Sequence, residues 1–167
     1  MLKGIFFDFD GVITLEKQGT PPMIAYIAET TGLPRETVEK AYRRHNRALL
    51  MGEKTHADMW QQFCEELETD IDYGILKGAF LNITLDQSVV AYIRELKEKY
   101  LIGMITDNKV DRIETILKEK GLDCDVSGID LGNRYIQHGA VDKLYEYYGL
   151  SAEKIAQSIK GVHYGEK

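Results

Sequence analysis

Long apolar runs are missing from this 167-residue sequence. No stretch approaches the roughly 18 residues that cross a bilayer, so no membrane partner is expected. Positive charge is also in short supply: 21 Lys and Arg face 27 Asp and Glu, for a formal net charge of −6. A general nucleic-acid binder needs a basic surface, so nucleic acid is not an expected partner either. A local basic pocket for a phosphorylated small molecule is still allowed. Cysteine is scarce. Cys64 and Cys124 lie far apart, with no CxxC and no zinc-like spacing, which fits a reducing, cytoplasmic setting better than a disulfide framework. Internal repeats and low-complexity linkers are absent. Met1-Leu2-Lys3-Gly4 leads straight into a strand-like segment, so no secretory leader is expected. What remains is 44% hydrophobic and 29% charged, a globular composition at a length suited to one domain with a small inserted subdomain.

The first ordered signal is Gly4-Ile5-Phe6-Phe7-Asp8-Phe9-Asp10-Gly11-Val12-Ile13. A short continuous apolar run predicts a strand buried on both faces, as in a parallel sheet covered by helices. Its two aspartates then fall at the carboxyl end, where open α/β sheets place ligands. From Pro21 to Phe80 the pattern is helical. One helix ends near Gly32, and a second follows Pro34 with Val38, Ala41, Tyr42, His45, Ala48 and Leu49 on one stripe. A third is capped by Thr55, with Met59, Trp60, Phe63 and Leu67 inside, and a shorter one spans Tyr73 to Phe80. Alternation resumes with Val89, Ile93, Leu96 and Tyr100 on a helix, then the strand Leu101-Ile102-Gly103-Met104-Ile105 ending in Thr106-Asp107-Asn108. Val110, Ile113, Ile116 and Leu117 mark a helix stopped by Gly121. Asp125 to Leu131 is a weaker strand, and Val141, Leu144, Tyr145 and Tyr148 form a last helical stripe. The fold class is therefore α/β, a Rossmann-like parallel sheet flanked by helices, with an all-helical insertion.

Asp8 and Asp10 are two residues apart, so on a strand their side chains share a face. Two close carboxylates attract a divalent cation, and hard oxygen ligands favour magnesium over zinc. One can attack as a nucleophile while the other works as general acid and base. Gly11 allows a sharp turn and a close approach to a ligand. Other polar residues have plainer readings. His45 is a packed histidine with one partner, and Arg43, Arg44 and Arg47 are a solvated helix face. Trp60 and Phe63 are core of the insertion, and Lys109 is a surface residue at a helix start.

An apolar strand followed by DxDG and Val, here Ile5 to Val12, resembles the first motif of the haloacid dehalogenase-like hydrolases. Thr106, ending the next core strand, is similar to their second motif, and the helical segment falls where capped members carry their cap. The resemblance implies a core over residues 1–15 and 84–167 and a helical cap over 16–83. It implies a phosphoric monoester hydrolase of the phosphatase type, acting on a small phosphorylated metabolite through an aspartyl-phosphate. Asp8 would attack phosphorus, and Asp10 would protonate the leaving oxygen and then activate water. Magnesium would be held by the Asp8 carboxylate and the Asp10 backbone carbonyl. Thr106, with Asp107 beside it, and Arg134 would face the phosphate. An aspartate at the second position is typical of the family's phosphatases and mutases rather than its dehalogenases.

The last third departs from the family pattern. The family's basic position, usually Lys, lands near Arg134, an exchange that is not conservative; Lys143, within a helical stripe, is the other candidate. No aspartate follows Asp142, so the late acidic motif that completes the metal site is missing; Asp107 and Asp130 are the alternatives. Loss of that acid weakens magnesium binding and charge neutralisation. Two other functions therefore stay open: an impaired relative that binds a ligand or partner through the old cleft, and a sugar-phosphate mutase. The missing final strand also leaves an apolar sheet edge through which two copies could pair as a homodimer.

Overall fold

The computed structural model describes residues 4–122 and 140–157. β1 (Gly4–Phe7) is followed by a wide turn over Phe9–Ile13, closed by the Thr14 amide donating to the Phe9 carbonyl at 3.0 Å, the i to i+5 bond of a π turn. Four helices come next: α1 (Thr20–Thr31), α2 (Arg35–Leu50), α3 (His56–Glu66) and α4 (Ile75–Leu81). Then come α5 (Gln87–Lys97), β2 (Leu101–Met104) and α6 (Val110–Lys120), and beyond them α7 (Val141–Tyr147). By compactness the chain divides into Met1–Val126 and Ser127–Lys167.

The helix ends follow local chemistry. Gly32 and Gly121 terminate α1 and α6 with φ of 72° and 64°, the left-handed region that a Cβ disfavours. Thr55 and Asp58 form a reciprocal capping box at the start of α3. On α2 the expected stripe is the buried one, with Val38, Ala41, Tyr42, His45 and Leu49 inside. Its other face is solvated, with Arg43 on Glu39 and Arg44 on Glu66. His45 does have one ionic neighbour, Glu66 at 3.4 Å.

β1 and β2 pair in parallel, Gly4 with Leu101 through Phe7 with Met104, and the Ile105 amide extends the ladder to the Phe7 carbonyl. The chain is thus α/β, mostly helical with a small parallel sheet. Burial on both faces of β1 is not what is found, since Phe6 is 43% exposed. Its ring lies over Gly103, where a Cβ would overlap it. The Asp125–Leu131 strand lies outside the described residues.

Between β1 and β2 the chain leaves and returns at one place. Thr14 and Leu85 form an antiparallel bridge, flanked by bonds from Leu15 to Thr84 and from Asp86 to Ile13, each 2.9 Å. The Glu16 carboxylate adds two bonds from the Thr84 amide. Within this bracket α1 packs on α2 and α4, and α2 on α3. Met23, Ile27, Met59, Phe63 and Phe80 join Ile113 and Ile116 of α6 in one apolar cluster. Burial of that cluster is the main favourable term, and it couples the helical segment to α6.

Candidate active site

The site lies where β1 and β2 end side by side. Asp8 follows the last residue of β1 in extended geometry, its side chain exposed and its Oδ1 accepting the Phe9 amide at 2.7 Å. Asp10 is past the strand, inside the π turn (φ −71°, ψ 124°), with Gly11 next to it at φ 77°. Strand periodicity therefore does not set Asp8 and Asp10 on one face, because the strand stops at Phe7. The turn at Gly11 does occur, in the conformation that favours glycine.

Asn108 links the side chains that follow the two strand ends. Its Nδ2 donates both to Asp10 Oδ2 at 2.9 Å and to Thr106 Oγ1 at 2.8 Å, linking residues 98 apart in sequence. The Asn108 amide also reaches Thr106 Oγ1, at 3.3 Å. With two donors already pointing at its oxygen, the Thr106 hydroxyl has its own proton left to donate. Asp107 is exposed and takes no part in this network. Arg134 lies outside the described residues.

Behind Asn108 sits Arg112, only 2% exposed. Its Nη1 donates to Asn108 Oδ1, and its Nη2 lies 3.6 Å from Asp10 Oδ1. Among the described residues Asp10 Oδ1 and the Arg112 Nε and Nη2 have no hydrogen-bond partner. Burial lowers the Arg112 pKa and the Asp10 charge raises it, with a net downward result. Lys109 is buried as well, 8% exposed, bonded through Nζ to Thr20 Oγ1 at 3.2 Å and lying 5.9 Å from the Tyr42 ring centre. Burial, and then the Arg112 charge, lower its pKa. The expectation of a surface lysine was wrong.

Asn108 and Arg112 are the residues that sequence reasoning missed. A signal was there: Lys109, Arg112 and Ile116 fall on the same face as Ile113 at 3–4 residue spacing, so two cations sit on a buried stripe.

A buried chain of polar groups anchors α6 from the other side. Asp111 Oδ2 lies 2.7 Å from His56 Nδ1 and accepts the His56 amide, and His56 Nε2 meets the Tyr42 hydroxyl at 2.9 Å. His56 is wholly buried. Burial, and secondarily the Asp111 charge, raise the Tyr42 pKa. For Asp111 burial acts upward, but the His56 bonds and charge outweigh it and hold the carboxyl below its ordinary 3.8. A depressed carboxyl contributes stability above its unfolded pKa and loses it as pH falls through the folded one. Thermal melts should therefore fall more steeply below about pH 4 in the native protein than in Asp111→Asn. Equal acid slopes would contradict the link.

A divalent cation fits these residues in part. Asp8 offers an exposed carboxylate, and the backbone turns at Asp10 just beyond it, so a carboxylate and a carbonyl, both hard oxygen donors suited to magnesium, lie close in the chain. Among the described residues no group of three or more His, Cys, Asp or Glu could enclose a metal. Magnesium is commonly held by one or two carboxylates with water and phosphate filling the other positions.

Among curated proteins the chain is similar to 1-deoxy-D-xylulose-5-phosphate synthase of Alkaliphilus oremlandii (strain OhILAs), 26% identical over 128 residues. The match covers 73% of this chain but only 20% of that protein, so the chain spans about a fifth of the relative's length. Among the described residues no helix is long and apolar enough to cross a membrane. The family described as haloacid dehalogenase-like hydrolase matches over residues 2–146, a span that takes in both strand ends and the Asn108 bridge between them. On that match the chain belongs to the haloacid dehalogenase-like hydrolases.

Proposed function

We propose that this chain is a magnesium-dependent phosphatase for a small phosphorylated metabolite, working through an aspartyl-phosphate on Asp8. The carrying observation is the Asn108 bridge, which sets the Asp10 carboxylate and the Thr106 hydroxyl beside one another at the end of the paired strands. Asp8 is exposed at the same end, as a nucleophile must be. Its carboxylate attacks phosphorus, and Asp10 gives a proton to the leaving oxygen. Asp10, again a carboxylate, then takes a proton from the water that cleaves the acyl-phosphate. Thr106 donates to a phosphoryl oxygen, and Arg134 is the proposed second phosphate holder. Magnesium, held by the Asp8 carboxylate and the Asp10 backbone carbonyl, would offset the charge of the phosphoryl oxygens.

Residues 1–15 and 84–167 would form the core and 16–83 a helical cap over the site. The Thr14–Leu85 bridge supports this, since both ends of the segment are pinned at its base. The test is release of inorganic phosphate from an aryl phosphate, with and without a magnesium chelator. Release that the chelator abolishes is the expected result. Release that is insensitive to chelation contradicts the magnesium part, and tight substrate binding with no release favours the impaired-relative reading. An isomerised sugar phosphate without free phosphate would identify a mutase.

A further inference from the structure

We propose that Arg112 is a positioning residue that fixes the Asn108 amide and, through it, Asp10 and Thr106. The catalytic half of this rests on the phosphatase reading; the structural half rests on geometry alone.

Arginine is almost never fully buried unless paired. Arg112 is buried to 2% exposure, yet among the described residues its Nε and Nη2 have no hydrogen-bond partner. A residue serving packing alone would do better as an aliphatic one, since a buried charge with incomplete pairing is a poor source of stability. What the guanidinium does have is direction. It faces the Phe9 ring with Cζ 6.0 Å from the ring centre. The Gly19 backbone lies so close that a Cβ there would overlap the guanidinium. Held between them, it presents Nη1 to Asn108 Oδ1 and Nη2 toward Asp10.

An asparagine amide has two ends of similar shape, and only its neighbours decide which way it points. Arg112 carries donors only, so it accepts contact with Oδ1 and not with Nδ2. That choice turns Nδ2 toward Asp10 and Thr106, which both offer acceptors. Without the guanidinium the Oδ1 end of the amide loses its donor, and Asp10 and Thr106 are left to orient it from one side. The amide can then rock, so that Asp10 Oδ2 is held less firmly and the Thr106 hydroxyl is aimed less closely at a substrate. Lysine, a single point of charge, cannot contact Asn108 and face Asp10 in the same fixed fork.

The test compares wild type with Arg112→Ala, Arg112→Lys and Gly19→Ala. Gly19 has ordinary right-handed geometry (φ −79°, ψ −28°), so alanine suits its backbone and disturbs only the guanidinium. For aryl phosphate hydrolysis, kcat should fall about 100-fold, the size expected of an ångström-scale misplacement, while KM stays within about threefold. Added guanidinium ion should restore part of kcat to Arg112→Ala but not to Gly19→Ala, where the space is taken. Independently of activity, the Asn108 side-chain amide resonances should move toward free-asparagine values in every variant. If Arg112→Ala does not fold, Gly19→Ala and Arg112→Lys carry the test. A wild type without hydrolysis defeats the phosphatase reading, and the Asn108 resonances then decide the arginine's role alone. Folded variants with unmoved Asn108 resonances, or with kcat within about twofold of an active wild type, overturn the proposal.

Discussion

Asp8→Asn should remove aryl phosphate hydrolysis by at least about three orders of magnitude while leaving the melting temperature near that of wild type. The carboxylate is exposed beyond the end of β1, and its hydrogen bond is to the amide of the very next residue. An asparagine side-chain oxygen can accept that bond too, so the local fold does not need the charge. The chemistry does, because a neutral amide is a far weaker nucleophile and cannot form an acyl-phosphate by the same route. Steady-state rates together with thermal melts separate the two effects. A variant retaining a tenth of the wild-type rate, on the order of 1.4 kcal/mol in barrier, would remove Asp8 from the nucleophile's role.

The second large effect is expected at Asn108, which no sequence argument singled out. Asn108→Leu keeps the branched shape and deletes three side-chain bonds, to Asp10, Thr106 and Arg112. Loss of oriented donors around a developing charge typically costs about 100- to 1000-fold in rate, and kcat should fall into that range. Stability should fall too, by about 2 kcal/mol, because the buried Arg112 loses the acceptor that Asn108 Oδ1 gives its Nη1. Asn108→Asp offers a useful contrast. It still faces Arg112 with an acceptor, but it sets a second carboxylate against Asp10, so it should retain more stability than activity. Kinetics with denaturant unfolding on both variants checks the pair. Equal losses of rate and stability in Asn108→Asp would mean that the residue only holds the fold.

The sequence made the ends of elements legible, because capping and chain reversal are local. Thr55, Gly32 and Gly121 are each read from a few neighbours, and each occupies its expected place. The two strand ends were legible for a similar reason: one apolar run stops at Asp8 and another before Thr106. The side-chain wiring was not. The Asn108–Asp10 bond spans 98 residues, and the Thr14–Leu85 bridge closes a long loop; neither leaves a periodic trace. Lys109 reads as a surface cation because lysine normally is one. Its burial depends on Thr20 and Tyr42 arriving from helices far upstream. The π turn misled the reading in another way. Strand periodicity assigned Asp8 and Asp10 to one face, whereas β1 ends at Phe7 and the turn, held by Thr14, places Asp10.

Trapping the covalent intermediate tests the role of Asp8 most directly. Wild-type protein quenched during turnover and reduced with borohydride should carry homoserine at position 8 and at no other acidic residue, since borohydride reduces an acyl-phosphate but not a free carboxylate. Reduction at a different aspartate, or none at all during demonstrable turnover, would contradict Asp8 as the attacking group.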